Sequence, residues 1–356
     1  MTAQPNYAVP TGDFIQEWLD EHGLNAAELS RRLGVSRKHV SELLRGMATL
    51  SHDLALALEN VTGVPARRWN QIEALYQEDR ARLQCDAVFA EQHARATAFP
   101  LAYLRKLGIL NAPSRDKAGT VRQLAAFFGV ADLDAWDHTW AESAVAYRKA
   151  AVHARCPEHV ATWLTVGERS VDLATLPPYD ADGLRAALPG LRTLTLSPGD
   201  APARARQMLA QVGVALAFVP PVPSLGIYGA TRWLDGHPLI QLSLLRKTDD
   251  QFWFTLFHEI GHVLLHSQQG LYLTGDDDVA EDEANTFSAD LLIPPTEAEQ
   301  LPMGRNIGLV EEFARQIGVS PGVVLGRVQR ITGDHAWGHR LKVTYEFAEA
   351  HEAEHE

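Results

Sequence analysis

The sequence predicts a mainly α-helical protein with one small α+β domain in its C-terminal half. Apolar residues recur at helical spacing from Phe14 to about Arg169. Strand-like runs cluster between Val214 and Leu244, shortly before an apolar stretch that contains a His-Glu-x-x-His motif. A chain of 356 residues is too long for one typical core, so we expect two or three domains.

Composition and charge narrow the class of protein. The net charge of −13 argues against general nucleic-acid binding, so any DNA contact requires a local basic surface. Cys85 and Cys156 lie far apart without metal-ligand spacing, which is typical of a reducing compartment. The sequence shows no signal-peptide pattern at its start and no apolar run of membrane-spanning length. We therefore expect a soluble, cytoplasmic protein that does not contact a membrane.

Residues 1–83 predict a five-helix domain with a helix-turn-helix at its centre. The first amphipathic helix ends at Gly23. Asn25 is a suitable N-cap for a second helix, which Gly34 would end in a left-handed conformation. Ser36 would cap a third helix that ends at Gly46. The remaining two helices are predicted at residues 53–61 and 65–82.

The third helix is predicted to enter the major groove of DNA. In helix-turn-helix proteins the N-terminal residues of the second motif helix contact base edges. Basic residues outnumber acidic ones between Leu24 and Gly46, which supplies charge for phosphate contacts. The alternative is a helical hairpin that serves only dimerisation. The predicted DNA-binding residues are Ser36, Arg37, Lys38, His39, Ser41 and Arg45.

Residues 9–83 resemble the HigA/Xre-type antitoxin and repressor domain. The resemblance rests on the two capped helices and on the helix over residues 69–76 that follows them. It implies a homodimer that binds double-stranded DNA at an operator. The family commonly has Ser-Gln at the start of the first motif helix, where this chain has Asn25 and Ala26. The cap is retained, but the DNA contact that Gln provides in the family is lost.

Residues 84–200 predict a helical middle segment without a catalytic motif. None of its residues has the spacing of metal ligands or of a nucleophile and its base. The segment is either a helical spacer between two functional ends or a sensing or dimerising module. The expected helices are at residues 90–107, 120–128, 133–151, 159–169 and 181–187.

Residues 201–300 predict a small sheet followed by a buried helix, and residues 301–356 a helical tail packed on that domain. Thr248 and the two aspartates after it would cap the buried helix. The strand over residues 240–244 is expected at an edge of the sheet, where it could pair with an extended peptide. The three expected strands are at residues 214–219, 227–234 and 239–244, with a turn at residues 235–238 between the last two.

The His-Glu-x-x-His motif lies on a predicted helix that is apolar almost all the way round, and such a helix is buried. Residues four apart share a helix face, so His258 and His262 can point at one metal ion. Glu259 lies one step round, close enough to hold a water. Burying polar groups without partners costs about 2–7 kcal/mol each. A bound zinc ion, Zn2+, would remove that cost.

A zinc hydrolase needs a third protein ligand and one position open to water. Two carboxylates compete for this role, Glu281 and Glu283. We favour Glu281, because it lies four residues before Asn285, whose amide could hydrogen-bond a ligating histidine. His266 is four residues after His262 and on the same face. We expect it to support the ligands rather than to bind the metal.

This region resembles the ImmA/IrrE family of zinc metallopeptidases. The resemblance covers residues 213–295 and implies a gluzincin-like domain, and several family members cleave or inactivate a transcription repressor. Repressor-type helix-turn-helix domains also occur fused to this peptidase domain, as here. Ser288 replaces the Ala that is usual in the family. The runs that carry the resemblance are Phe257-His258-Glu259-Ile260-Gly261-His262 and Glu281-x-Glu283-Ala284-Asn285-x-Phe287-Ser288-Ala289-x-Leu291-Leu292-Ile293-Pro294.

The expected mechanism is metal-assisted hydrolysis. Zinc held by His258, His262 and Glu281 would polarise a water and lower its pKa to about 7. Glu259 would take the proton as general base and deliver it to the leaving amine while the water oxygen attacks a peptide carbonyl. Candidates for an additional donor to the oxyanion are Tyr228, Tyr272 and His266.

We therefore expect a DNA-binding transcriptional regulator whose zinc-dependent metallo-endopeptidase domain cleaves a regulatory protein, such as a repressor. One alternative is a HigA-like antitoxin or autorepressor, with a toxin as partner, whose zinc domain is a sensor or scaffold with little proteolysis. Another is a peptidase whose helix-turn-helix binds a protein. The intact Glu259 favours catalysis, and the basic pair Arg37 and Lys38 favours DNA.

Overall fold

A computed structural model of the protein describes residues 7–147, 156–223, 225–243, 245–266, 271–273 and 279–345. These residues form α-helices and one four-stranded sheet. The chain divides into two compact units. The first runs to His93 and includes Ala112–Arg122, and the second contains Ala94–Asn111 and the chain from Gln123 onwards. Within the described ranges, no helix has both the length and the apolar character needed to cross a membrane.

The first unit contains the predicted helix-turn-helix, formed by α2 and α3. The two helices pack with α1 and α4 around one apolar core, so a mainly helical N-terminal domain is confirmed. The core includes the fully buried side chains of Ile15, Leu19, Leu29, Val40, Leu43, Leu58 and Trp69. The first five helices are α1 (Thr11–Glu21), α2 (Ala26–Leu33), α3 (Arg37–Leu44), α4 (His52–Thr62) and α5 (Ala66–Ala96).

The ends of the two motif helices follow their sequence signals. The Asn25 side chain accepts a hydrogen bond from the backbone N–H of Glu28, over 2.9 Å, at the start of α2. Gly34 ends this helix with a φ of +70°, a conformation that glycine adopts without strain. The Ser36 hydroxyl accepts from the backbone N–H of His39 at the start of α3. Both predicted N-caps are confirmed.

Helix α5 is longer than the sequence analysis predicted. The sequence predicts a break between residues 82 and 90, but α5 continues to Ala96, and the next helix begins only at Leu101. No glycine or proline lies within α5 to interrupt it, whereas Pro100 lies just before the next helix. The single predicted helix at residues 90–107 is therefore wrong, because its two halves belong to different helices.

The second unit holds most of the remaining helices. Helix α10 runs six residues beyond its predicted end at Ala187, with Pro189 inside it. The predicted end of α8 at Ala151 lies outside the described residues. The helices that follow α5 are α6 (Leu101–Lys106), α7 (Lys117–Phe128), α8 (Leu133–Tyr147), α9 (Pro157–Arg169), α10 (Ala181–Thr193), α11 (Ala201–Ala210), α12 (Asp249–Leu265), α13 (Val279–Leu292), α14 (Pro295–Ala298), α15 (Ile307–Ile317) and α16 (Pro321–Thr332).

The sheet has the strand order β1-β3-β2-β4, with β1 parallel to β3 and the other pairs antiparallel. Strand β3 is therefore internal, so the predicted edge strand at residues 240–244 is wrong. It pairs with β2 through the Asp235-Gly236 turn and with β1 on its other side, and a strand's own sequence does not encode that second pairing. Leu244 lies outside the described residues. The strands are β1 (Ala215–Phe218), β2 (Gly229–Leu234), β3 (His237–Leu242) and β4 (Tyr272–Leu273).

Two helices cover opposite faces of the sheet. Ile240 and Leu242 of β3 share an apolar core with α12, whereas the side-chain N–H of Gln241 between them donates to the Trp163 carbonyl of α9, over 2.6 Å. Side chains alternate between the two faces of a strand, so α9 and α12 lie on different sides. Helices α10, α11, α15 and α16 contribute to the same core as α12. The domain boundaries drawn from the sequence at residues 83, 200 and 300 stay predictions.

The first turn of α12 is anchored by hydrogen bonds to Ser320, at the start of α16, and to Val343. Thr248 occupies the N-cap position, but its side chain makes no capping hydrogen bond, so that detail of the prediction is wrong. Asp249 instead accepts from the Ser320 hydroxyl, over 2.7 Å, and from the Val343 N–H, over 3.1 Å. Burial, above all, raises the pKa of the Asp249 carboxyl. These contacts anchor the helix that carries the His-Glu-x-x-His motif.

Candidate metal centre and candidate DNA-binding helix

Two helices bring three predicted ligands together. His258 and His262 project from one face of α12, and their Nε2 atoms lie 3.0 Å apart. Glu281, in the first turn of α13, places Oε1 2.9 Å from Nε2 of His262 and Oε2 3.3 Å from Nε2 of His258. All three side chains are buried. Nitrogen and oxygen atoms from distant parts of the sequence thus converge on one point.

The donor set of this cluster suits zinc. Zinc binds imidazole nitrogen and carboxylate oxygen at about 2.0–2.2 Å in a tetrahedron, whose edges then measure about 3.3 Å. The separations between the histidine and glutamate atoms, 2.9–3.3 Å, are close to that edge length. Three protein ligands would leave the fourth position for a water. The residues present therefore fit a catalytic type of zinc site better than a closed structural one.

The protonation states of Glu281 and His258 depend on their contacts with each other and with their neighbours. Burial by itself would raise the pKa of Glu281, but the hydrogen bonds and charges of His258 and His262 outweigh it and lower the pKa to about 2. Burial likewise disfavours the charged form of His258, yet the contacts with Glu281, Glu259 and Asn285 raise its pKa. The site therefore maintains a carboxylate anion in a buried position, which is the form that binds a cation.

Close packing of α12 on α13 makes this convergence possible. Gly261 faces α13, where an added Cβ would lie 3.2 Å from Cα of Ala284 and from Cδ1 of Phe287. A side chain at this position would require its neighbours on α13 to shift by a few tenths of an ångström. The Ser288 hydroxyl donates to the Phe254 carbonyl, over 2.8 Å, and so links the same two helices. The change from the usual Ala to Ser288 thus adds a contact at this interface.

Glu259 lies against the sheet, where two residues that the sequence analysis did not identify surround it. Oε2 of Glu259 accepts a hydrogen bond from Oγ1 of Thr231 on β2, over 2.8 Å. Gly229 lies two residues earlier on the same face of β2, and a Cβ there would overlap Oε1 of Glu259. The signal that could have found them is this spacing of two on a strand next to the motif helix. It becomes visible only once β2 is known to face α12.

The register of the sheet also places the Tyr272 ring beside the predicted ligand His262. Leu216, Ile240, Thr231 and Tyr272 pair successively across the four strands, and paired residues point to the same face. The Tyr272 ring accordingly stacks on the His262 ring, with centroids 4.6 Å apart and planes at 15°. Of the three candidates for the oxyanion, Tyr272 and His266 lie next to His262. The Tyr228 ring instead lies under the Arg246 guanidinium, 5.9 Å away.

The residues predicted to support the ligands lie close to them. Asn285 interacts with the His258 ring, since it contributes to the raised pKa of that histidine. His266 places Nδ1 2.9 Å from Nδ1 of His262 and Nε2 3.0 Å from Oε2 of Glu283. Glu283, the carboxylate that the sequence analysis set aside as a ligand, therefore contacts the site through His266.

Helix α3 presents most of the predicted DNA-binding residues on one face. At about 100° per residue, Arg37, Lys38, Ser41 and Arg45 fall within one arc of about 100°. The buried side chains of α3, Val40 and Leu43, fall on the opposite side. Arg37, Lys38 and Arg45 are exposed. Two predicted contacts differ in placement: the Ser36 oxygen caps the helix, and His39 is half-buried outside the arc.

Some of the basic residues near α3 form ion pairs with neighbouring glutamates, which reduces the positive charge of this surface. Glu28 forms ion pairs with both Arg31 and Arg32 on α2. Lys38 lies 3.7 Å from Glu42, one turn further along α3. Exposed pairs of this kind contribute about 0–1 kcal/mol, so phosphates can displace the carboxylates at little cost. The exposed Arg37 and Arg45 lie at opposite ends of the predicted DNA-binding face of α3.

Comparison with known families assigns two parts of the chain. Residues 227–329 match the model of a peptidase family described as the IrrE N-terminal-like domain, and residues 15–69 match the helix-turn-helix model. The protein thus combines an Xre-like helix-turn-helix domain with an IrrE/ImmA-like, metallopeptidase-type domain, as the two resemblances predicted. No curated protein matches the chain.

Proposed function

We propose that this protein is a DNA-binding regulator whose second unit is a zinc-dependent endopeptidase acting on a regulatory protein. The observation that carries this proposal is the position of Glu259, a buried carboxylate beside the convergent His258, His262 and Glu281. A domain that used its metal only as a scaffold would not need a second buried acid next to the ligands. The helix-turn-helix in the same chain points to a regulatory rather than a digestive role.

The residues of the site would divide the work of hydrolysis. His258, His262 and Glu281 would hold zinc, which, when bound, would act as a Lewis acid and lower the pKa of a water to about 7. Glu259 accepts the proton of the attacking water and passes it to the leaving amine. Thr231 donates a hydrogen bond to one oxygen of Glu259 and so restricts the orientation of the carboxylate. Neither proton transfer needs a further acid or base from the chain.

The first unit would hold the regulator on DNA. Arg37, Lys38, Ser41 and Arg45 face away from the core on α3, which in helix-turn-helix proteins is the helix that reads the major groove. Half-site recognition by such domains normally uses a two-fold axis, so we expect a homodimer on a palindromic operator. A DNA partner of this kind supports a location in the cytoplasm.

Comparison of cleavage products tests the peptidase. Zinc-loaded full-length protein and its Glu259→Gln variant are added to extracts of cells that produce the protein, and new N-termini are identified by mass spectrometry. We expect a small set of new termini with the wild type and none with Glu259→Gln, which still binds zinc. Identical termini with both proteins would overturn the proposal.

The same material distinguishes the second candidate function, a HigA-like antitoxin or autorepressor. The observation that favours it is the helix-turn-helix match, since this domain type occurs in such repressors. A wild type that shifts DNA of its own gene's promoter region, copurifies with a small toxin and yields no new termini would support this candidate. Cleavage that depends on Glu259 would support the peptidase.

A further inference from the structure

A row of three side chains leads from the surface to the candidate metal centre. Oε2 of Glu283 lies 3.0 Å from Nε2 of His266, and Nδ1 of His266 lies 2.9 Å from Nδ1 of His262. Nε2 of His262 faces the point where the ligand atoms converge. The Tyr272 ring lies against both imidazoles, with centroids 4.6 Å from His262 and 5.3 Å from His266. This packing limits rotation of the two rings.

The contacts allow one arrangement of protons when His262 binds a metal. A ligating Nε2 must carry a lone pair, so the proton of a neutral His262 is on Nδ1. That N–H can donate only if Nδ1 of His266 is an acceptor, which puts the proton of His266 on its Nε2. The Nε2–H of His266 then needs an acceptor, and the Glu283 carboxylate, which only accepts, lies within hydrogen-bond distance.

We propose that Glu283 and His266 are positioning residues that fix His262 in its metal-binding tautomer. The three residues form what we call the tautomer relay, Glu283–His266–His262. Without Glu283, His266 can carry its proton on Nδ1, where it would oppose the Nδ1–H of His262. Such outer hydrogen bonds to ligating histidines raise metal affinity by about 10–100-fold. The inference rests on the proposed zinc site and assigns a role to the carboxylate that is not a ligand.

The chain offers a matched control for charge. Asp282 precedes Glu283 on α13, is exposed like it, and carries the same charge. Among the described contacts of His266, the acidic partner is Glu283 and not Asp282. Removal of Asp282 therefore changes the local potential by a similar amount but leaves the tautomer relay intact. Because Glu283 is 57% exposed, its substitution is not expected to affect folding.

Zinc affinity is the first readout. Full-length wild type, Glu283→Ala, Glu283→Gln, His266→Ala and Asp282→Ala are stripped of metal and titrated with zinc against a chromophoric chelator of known affinity. We expect about 10–100-fold weaker binding for Glu283→Ala and His266→Ala. Glu283→Gln, whose amide oxygen accepts the same hydrogen bond, should recover most of the affinity, and Asp282→Ala should bind as the wild type does.

A spectroscopic signature separates the relay from a general structural effect. In cobalt(II)-loaded protein, unpaired electrons shift the proton resonances of ligating rings far from the rest of the spectrum. The Nδ1–H of His262 should give such a resonance with slow solvent exchange in the wild type and in Glu283→Gln. It should exchange rapidly in His266→Ala.

The outcomes separate this inference from the zinc site on which it depends. Wild-type affinity in both Glu283→Ala and His266→Ala would overturn the tautomer relay and leave the metal centre standing. An Asp282→Ala variant as weak as Glu283→Ala would also overturn it, because charge alone would then explain the loss. A wild type that binds no zinc would refute the metal centre itself.

Discussion

Oγ1 of Thr231 on β2 donates a hydrogen bond to Oε2 of Glu259 on α12, over 2.8 Å, and both residues are fully buried. The same hydroxyl lies 3.1 Å from the backbone carbonyl oxygen of Glu259. A hydroxyl has one proton, so it shares that proton between the two acceptors. The sheet thereby sets the direction of the carboxylate that we propose as general base.

Substitution of Thr231 tests this positioning. Thr231→Val keeps the side-chain shape and removes the donor, and a lost hydrogen bond to a charged group costs roughly 1.5–3 kcal/mol. We expect kcat for cleavage to fall roughly 10- to 100-fold, with zinc affinity unchanged. Thr231→Ser retains the hydroxyl and should remain close to the wild type. A Thr231→Val enzyme with the wild-type rate would show that Glu259 needs no support from β2.

Gly229 is predicted to be essential for the placement of Glu259. A methyl group there would overlap Oε1 of the carboxylate, which the surrounding buried residues leave little room to move. Gly229→Ala should therefore reduce cleavage at least as strongly as Thr231→Val while zinc remains bound. Gly199→Ala provides the control, because Gly199 is exposed, has no positive φ, and an added Cβ there contacts nothing within 4 Å. Equal activity of the two variants would contradict the prediction.

Local features of this protein could be predicted from its sequence, and contacts across the chain could not. The caps at Asn25 and Ser36 involve residues three positions away, so the sequence pattern contains both partners. The Thr231 and Glu259 side chains are 28 positions apart, and their contact depends on the strand order. The internal position of β3 was missed for the same reason.

In the metal site too, local spacing could be predicted from the sequence, whereas contacts between helices could not. His258 and His262 share a helix turn, so their common face follows from spacing alone. The placement of Glu281 beside them depends on the packing of α13 on α12, and the sequence favours Glu281 only through its one-turn spacing to Asn285. The sequence favours Glu281 over Glu283 as a ligand, and the contact of Glu283 with His266 spans 17 positions that include residues outside the described ranges.

The contact between Asp250 and Lys342 is predicted to stabilise the second unit. Nζ of Lys342 lies 2.6 Å from Oδ2 of Asp250, and both side chains are largely buried, with 13% and 5% exposure. Removing one partner of a buried pair costs about 3–5 kcal/mol, because the other charge is left without compensation. Lys342→Met should lower the free energy of unfolding of that unit by about this amount in chemical denaturation.

Two further variants test whether charge is the cause. Asp250→Asn combined with Lys342→Met removes both charges and should recover part of the lost stability. Arg340→Met removes an exposed charge nearby and should be neutral. If the double variant is no more stable than Lys342→Met, loss of packing rather than an unpaired carboxylate explains the effect.

Arg37 is predicted to contact DNA phosphates or bases from the exposed face of α3. Arg37→Ala should weaken binding to DNA of the gene's own promoter region, and loss of one phosphate contact should reduce the slope of log K against log salt by about 1. Arg82→Ala is the matched control, because this arginine pairs with Glu78 on α5 rather than lying on α3. Gel-shift titrations at several salt concentrations measure both quantities. A wild type that binds no such DNA would refute the operator proposal.

The zinc content of the purified protein tests most directly whether His258, His262 and Glu281 form a metal centre. Elemental analysis is applied to the wild type, to His258→Ala and to Asp282→Ala, each as a full-length protein exposed to the same zinc-containing buffer. We predict about one zinc per chain in the wild type and in Asp282→Ala, and almost none in His258→Ala. Stoichiometric zinc retained by His258→Ala would contradict the ligand set and the proposed chemistry built on it.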